Sequence, residues 1–261
     1  MKGILSALWV ESLKVRRSRI FPITILAFAF MSIFMALLIF ISKNPELISK
    51  LGLLGTKATF LGEDIDWPAY FNLSMQIVSM IGLIGFGFVT SWIFGREYSD
   101  RTIKDMLALP VSRHVIVLSK LIVTAVWCLL LTLVLFAFGL AAGWMIHLSG
   151  WSGELALRSF YTAIMTSILT ILLCPTVAFF ASYGRGYLPP IGFVIVIFIT
   201  GQFINALGLG HYFPWMIPSL YSGAAGAEGL HLGIISYIIL YLTSISGLIG
   251  TFAWWHFADQ N

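Results

Sequence analysis

The sequence predicts an all-α membrane protein: six transmembrane helices, an amphipathic amino-terminal helix lying in the membrane interface, and a short cytoplasmic helix between spans two and three. Three observations carry that expectation. Only 10% of the 261 residues are charged and 59% are hydrophobic, against about 25% charged in soluble domains. Uncharged runs long enough for a spanning helix of ~20 residues recur six times. The basic residues lie beside those runs and are unequally shared between the two sides, as in proteins whose orientation is set by Lys and Arg.

The elements follow in order along one transmembrane domain covering residues 1–261. Ahead of the first span, Ile4, Leu5, Leu8, Trp9 and Leu13 share one helical face, with Glu11, Lys14 and Arg17 opposite, which is the pattern of an interfacial helix. The spans are placed at 20–42, 70–94, 121–146, 159–183, 187–209 and 232–257. The first apolar run is too long for a cleaved signal peptide, and no small-residue cleavage site follows it. Lys2, Lys14, Arg16, Arg17, Arg19, Arg96, Arg101, Lys104, Arg113, Lys120 and Arg185 fall on one side; Lys43, Lys50, Lys57 and Arg158 fall on the other. That asymmetry puts both termini in the cytoplasm of a plasma-membrane protein.

Inside the spans, Gly82, Gly85 and Gly87 allow close helix approach, and Pro175 removes a backbone donor and is expected to kink span four. The stretch "HYFPWMIPSLYSGAAGAEG" is apolar but broken by Pro214, Pro218 and glycines. It is either a surface loop or a segment dipping into the bilayer, where its backbone would need protein around it. Cys128 and Cys174 sit in apolar runs and read as packing residues. The five histidines show no ligand spacing, so no metal site is expected. The net charge of +4 is not organised as a basic stripe on a soluble domain, which argues against nucleic acid.

Residues 95–120, "GREYSDRTIKDMLALPVSRHVIVLSK", are the most charged stretch of the chain. Ser99 or Thr102 can cap a helix there, and Thr102 with Asp105 has the capping-box spacing. Ile103, Met106 and Leu107 then share an apolar face, and Pro110 stops the helix after about two turns. So short a helix is marginal in water. It needs a surface to pack on: the protein's own spans, the lipid interface, or a partner.

An acidic residue before an Arg-Thr pair, a short amphipathic segment ending in Leu-x-Pro, then Ser-Arg and a Lys seven residues later resembles the ABC-2 class of ABC transporter permeases. Glu97, Asp100, Arg101, Thr102, Leu107, Pro110, Ser112, Arg113 and Lys120 carry the likeness, and "EYSDRTIKDMLALPVSR" is most similar to the permeases grouped with bacitracin and lantibiotic resistance exporters. The resemblance implies that this loop is a coupling helix docking on a separate ABC ATPase dimer. Its expected docking residues are Glu97, Asp100, Arg101, Thr102, Ile103, Met106, Leu107, Pro110 and Arg113. It implies further that a second permease copy or a homologous permease completes the transporter, and that the cargo is a peptide antibiotic or another amphipathic compound. No G-x-x-x-x-G-K-[ST] occurs in these 261 residues, so this chain is expected to bind no cofactor and to carry no catalytic residue, with ATP and Mg held by the partner ATPase.

Asn72, Gln76, Ser79 and Thr90 lie within about a sixth of a turn of one another on span two, at ~100° per residue. They read as the lining of a substrate path or as interhelical hydrogen-bonding groups. Two rival classes compete with the permease. "GWSG" at 150–153 matches the G-x-S-G of rhomboid intramembrane proteases, with Ser152 as nucleophile and His231 as base. An ATP-independent secondary transporter is the other, although such proteins carry ionisable residues inside their spans, and no Lys, Arg, Asp or Glu falls within the six assigned here.

Overall fold

The computed structural model describes residues 2–43, 65–103, 106, 111–224 and 232–257, and among them there is no strand. In chain order the helices are α1 (Lys2–Arg16), α2 (Ile20–Ser42), α3 (Trp67–Ser99), α4 (Arg113–Met145), α5 (Gly153–Tyr183), α6 (Leu188–Ala206), α7 (Ile217–Tyr221) and α8 (Ile234–Phe257). Two 3₁₀ turns, Gly210–Tyr212 and Pro214–Met216, lead into α7. Six helices, α2 to α6 and α8, are long and apolar enough to cross a membrane. The chain is a multi-pass membrane protein.

The termini of these helices show how local sequence sets them. At the start of α3 the Asp66 carboxylate accepts from the Ala69 N–H at 2.9 Å, with Pro68 in the first turn where its missing donor costs nothing. At its other end the chain turns through Arg101 at φ 58°, a left-handed conformation uncommon outside glycine. There the Thr102 N–H donates to the Glu97 carbonyl and the Arg101 N–H to the Tyr98 carbonyl, at 2.9 and 3.2 Å, which is the paired closure of a Schellman motif. Both α3 and α4 have 33 residues, about 50 Å of helix, well beyond the ~30 Å hydrocarbon core. They therefore extend into the stretch read from sequence as loop. Arg96 and Glu97 belong to α3, and residues 113–120 are the opening turns of α4.

Helix α5 is the centre of the bundle, packing most extensively against α3 and α8, while α4 carries α1 and α2. The outward faces of α2, α6 and α8 present large apolar side chains such as Leu26, Phe30, Phe203, Leu242 and Ile249, as a lipid-facing surface must. Inside, many hydroxyl groups are satisfied by backbone carbonyls, although Thr166 Oγ1 is buried without a partner among the described residues. Thr90, Ser91, Thr124, Thr132, Ser182 and Thr251 each donate to the carbonyl four residues back. Others tie helices together: Ser32 Oγ donates to the Leu135 carbonyl at 2.8 Å, and Tyr70 Oη to the Gly139 carbonyl at 2.7 Å.

Residues 210–221 resolve the question that the sequence left open. Ile217 and Leu220 are buried, and Ile217 clusters with Leu169 and Leu173 of α5 and Leu240 of α8. The segment is inserted among the helices at mid-α5 depth rather than spread over a surface. Its backbone closes on itself at that depth, with the N–H groups of Tyr212, Phe213 and Met216 each donating three residues back, which meets the requirement for irregular backbone in a membrane. Residues 225–229 of the same stretch lie outside the described residues.

Close approach by small residues is real but falls only partly where span two advertised it. A Cβ on Gly85 would lie 2.5 Å from the Phe28 ring and one on Gly87 2.6 Å from Val194, whereas Gly82 meets only Phe86 of its own helix. The tightest backbone contact is between α5 and α8. It lies just past Pro175, which sits inside the unbroken α5 and whose carbonyl accepts from Thr251 Oγ1 at 3.0 Å. A Cβ on Gly247 would lie 2.6 Å from the Thr176 nitrogen, and backbone cannot step aside as a side chain can. Gly247→Ala is expected to cost about 1–3 kcal/mol by overpacking, read as a lower melting temperature of the detergent-purified protein. Gly233→Ala, with open space around it, is expected to leave the melt unchanged.

Candidate functional site at the charged end of the bundle

Five ionisable side chains from three helices converge where α3 ends and α4 begins. Lys120 is the centre. Its side chain is 0% exposed, and its ammonium sits 2.8 Å from both carboxylate oxygens of Glu97, 3.3 Å from Glu11 Oε2 and 2.9 Å from the Ile93 carbonyl. Lys14 bridges the same two carboxylates, 2.8 Å from Glu11 Oε1 and 3.1 Å from Glu97 Oε1. Arg96 adds a longer contact to Glu97 at 3.4 Å and lays its guanidinium over the Trp92 ring. Glu97 is 2% exposed and Glu11 5%.

Each helix brings its charge to this point for a local reason. Glu97 is in the last turn of α3, Lys120 two turns into α4, and Glu11 and Lys14 lie at i,i+3 on α1. Burying an ion in apolar surroundings costs several kcal/mol, and an ion pair offsets that only when geometry and hydrogen bonding are complete. Two carboxylates facing two ammonium groups, with a backbone carbonyl taking a further Lys120 proton, meet that condition. At Lys14 desolvation works against the charge, yet the Glu11 and Glu97 carboxylates outweigh it and hold the pKa above the ordinary lysine value.

The amino-terminal helix is consequently turned around relative to a simple interfacial helix. Its Glu11 and Lys14 face the bundle, and Leu5 and Trp9 face outward. From the sequence Glu11 and Lys14 read as the water-facing side of α1; the signal pointing elsewhere was Lys120, a lone cation leading into an apolar run.

The structure distributes the expected docking residues over three environments. Asp100, Arg101 and Thr102 are exposed. Glu97 is not available at a surface, because the ion cluster consumes it. Ile103 and Met106, expected to face a partner, are 7% and 8% exposed and belong to the main core cluster. This corrects the sequence reading for those two: their apolar surface is covered within the chain, Met106 lying beside Val10 of α1 and Ile116 of α4. The Met106 N–H donates to the Thr102 carbonyl at 3.1 Å, so a helical turn does start at Thr102. Leu107 and Pro110, with Lys104 and Asp105, lie outside the described residues. Arg113 is turned to the carboxyl-terminal end of α8, donating to the Trp255 and His256 carbonyls at 3.0 and 3.3 Å, where a cation complements the helix dipole.

The polar stripe of α3 also divides. Asn72 and Gln76 are exposed on the outer face of the chain, Gln76 beside an apolar groove of about 300 Å³ shared with Met35, Leu38 and Met80. Ser79 and Thr90 are buried; Ser79 lies 3.5 Å from the Ser219 hydroxyl just before the end of α7, and Thr90 bonds back to Phe86. One helical face thus meets packed helices at one level and, among the described residues, only the edge of an open groove at another. Ser152 is the exposed residue preceding α5 and makes no capping bond, a poor setting for a buried intramembrane nucleophile, and His231 lies outside the described residues.

The ion cluster makes a direct prediction. Lys120→Met leaves two buried carboxylates short of a cation and is expected to destabilise the protein by about 3–5 kcal/mol. Lys120→Met combined with Glu97→Gln removes charges of both signs and is expected to recover a measurable part of the loss. The check is a double-mutant cycle on thermal unfolding in detergent; additive losses would show that the two groups do not interact.

Comparison with known proteins shows the family. The family model described as ABC-2 family transporter protein matches residues 7–201, which takes in the last two-thirds of α1, the ion cluster and the helices through most of α6. Bacitracin transport permease protein BCRB of Bacillus licheniformis is 27% identical over 191 residues, covering 73% of this chain and 91% of that protein. The chain belongs to the ABC-2 family of transporter proteins and is a membrane subunit of that class.

Proposed function

We propose that this chain is the permease subunit of an ATP-driven exporter, powered by a separate ABC ATPase and moving a peptide antibiotic or another amphipathic compound across the plasma membrane, with both termini in the cytoplasm. The observation that carries the reading is the likeness, over most of both chains, to a permease named for bacitracin transport. The lack of a P-loop in these 261 residues supports a separate motor.

In this reading the ATPase engages the exposed turn at Asp100, Arg101 and Thr102 together with the sequence-defined Leu107 and Pro110. Its push passes to the spans through the ion cluster, since Glu97 is three residues before that turn and holds α1 and α4 at once. The docking arm is tested by co-purification. Arg101→Glu and Leu107→Asp are each expected to lower ATPase recovery about tenfold or more, the loss that goes with one buried apolar or paired contact, with no change in the permease's melting temperature. Full ATPase recovery with both variants would remove the docking assignment.

A second permease copy completes the path. Two amides on a membrane helix are stable against protein or a polar cavity, not against lipid, so exposed Asn72 and Gln76 mark the face that a partner permease covers and along which cargo passes. Gln76→Cys is expected to give a disulfide-linked dimer in oxidised membranes. The native Cys128 and Cys174 are buried and should give none. Failure of Gln76→Cys to cross-link while the wild type runs as a dimer would move the interface to another face.

A further inference from the structure

We propose that the groove between α1 and α4 is a binding site for one anionic phospholipid of the leaflet on the amino-terminal side. The groove encloses about 480 Å³ and is lined by Trp9 and Arg16 of α1, Phe21 at the start of α2, and Ile122, Val126 and Leu130 of α4. Ile122 to Leu130 covers about 12 Å of helix, a length that suits an extended acyl chain. The polar atoms near it are already committed. Trp127 Nε1 donates to Thr24 Oγ1 at 3.2 Å and Ser12 Oγ to the Trp9 carbonyl at 2.9 Å, so the interior asks for hydrocarbon.

The mouth asks for an anion. Arg16 lines the groove, and Arg17 and Arg19 follow it on the short connection to α2; all three are exposed. None makes an ion pair or side-chain hydrogen bond to the described residues, whereas Lys14, one turn earlier, is held between two carboxylates. Free guanidiniums beside a dry slot match the two halves of an anionic phospholipid: an acyl chain in the groove and a phosphate on the arginines. The ion cluster shapes this site indirectly. By turning Glu11 and Lys14 inward it leaves Leu5 and Trp9 about two-thirds exposed at the groove edge (65% and 64%), where an indole suits the headgroup level.

The test uses the full-length protein purified in detergent and native mass spectrometry of retained lipid, titrated with dioleoyl phosphatidylglycerol or dioleoyl phosphatidylcholine. The wild type should retain one phosphatidylglycerol in preference to phosphatidylcholine. Arg16→Gln/Arg17→Gln/Arg19→Gln should lose that preference, at about fivefold for each guanidinium removed. Val126→Trp, which fills the slot, should retain neither lipid. Glycerophosphoglycerol, the headgroup without chains, should not compete; competition by it would reduce the site to a phosphate patch. Equal retention of the two lipids by the wild type, or an unchanged preference in the triple variant, would overturn the proposal. A cross-link from Val126→Cys to a second copy would assign the groove to a protein contact instead.

Discussion

A lysine ammonium with no exposure to solvent is the constraint around which this end of the molecule is arranged. Lys120 cannot remain charged in apolar surroundings unless carboxylates reach it, and both come from other helices: Glu97 from α3 and Glu11 from α1. Meeting that requirement fixes the relative positions of three helices at once. It also dictates that α1 turns its charged face inward. Two carboxylates exceed what one ammonium can balance, so Lys14 completes the set from α1 and Arg96 from α3. The outward display of Leu5 and Trp9 follows from the same rotation.

Away from that cluster the governing rule is that no water is at hand to satisfy a polar group. Hydroxyls bond back along their own helices, and the irregular segment 210–221 closes its backbone through successive short turns before it can be inserted beside α5. Close approach substitutes for a hydrophobic driving force between helices. Gly247 brings the α8 backbone against Thr176, and Gly95 brings α3 close to the Gly186 carbonyl.

These two rules meet at the turn proposed above to engage the ATPase. The turn after α3 passes through a left-handed arginine and leaves Asp100, Arg101 and Thr102 exposed, while the residues on either side, Glu97 and Ile103, are locked into the core. A rigidly held base carrying a short exposed turn can pass a displacement to several helices together, because ion pairs and packed side chains on that base leave little room for independent movement.

Much of this was determined by the sequence alone. Composition and run length were enough to define six spans, because crossing hydrocarbon demands uninterrupted apolar helix whatever surrounds it. The charged stretch with its Arg-Thr pair and Leu-x-Pro was enough to point to the family. Tertiary structure alone decided where each polar group would face. Asn72 and Thr90 have the same helical phase, yet one is exposed and the other buried, since periodicity assigns a face without saying which neighbour lies at that height. Ile103 and Met106 were legible as an apolar face, but that their own bundle would cover it depended on where α1 and the start of α4 come to lie in the folded chain. Glu11, Lys14, Glu97 and Lys120 lie up to 109 residues apart. Only Glu11 and Lys14 are paired locally, at i,i+3 on α1; the folded chain alone brings Glu97 and Lys120 to them, and the cost of leaving any one of the four buried alone keeps them there.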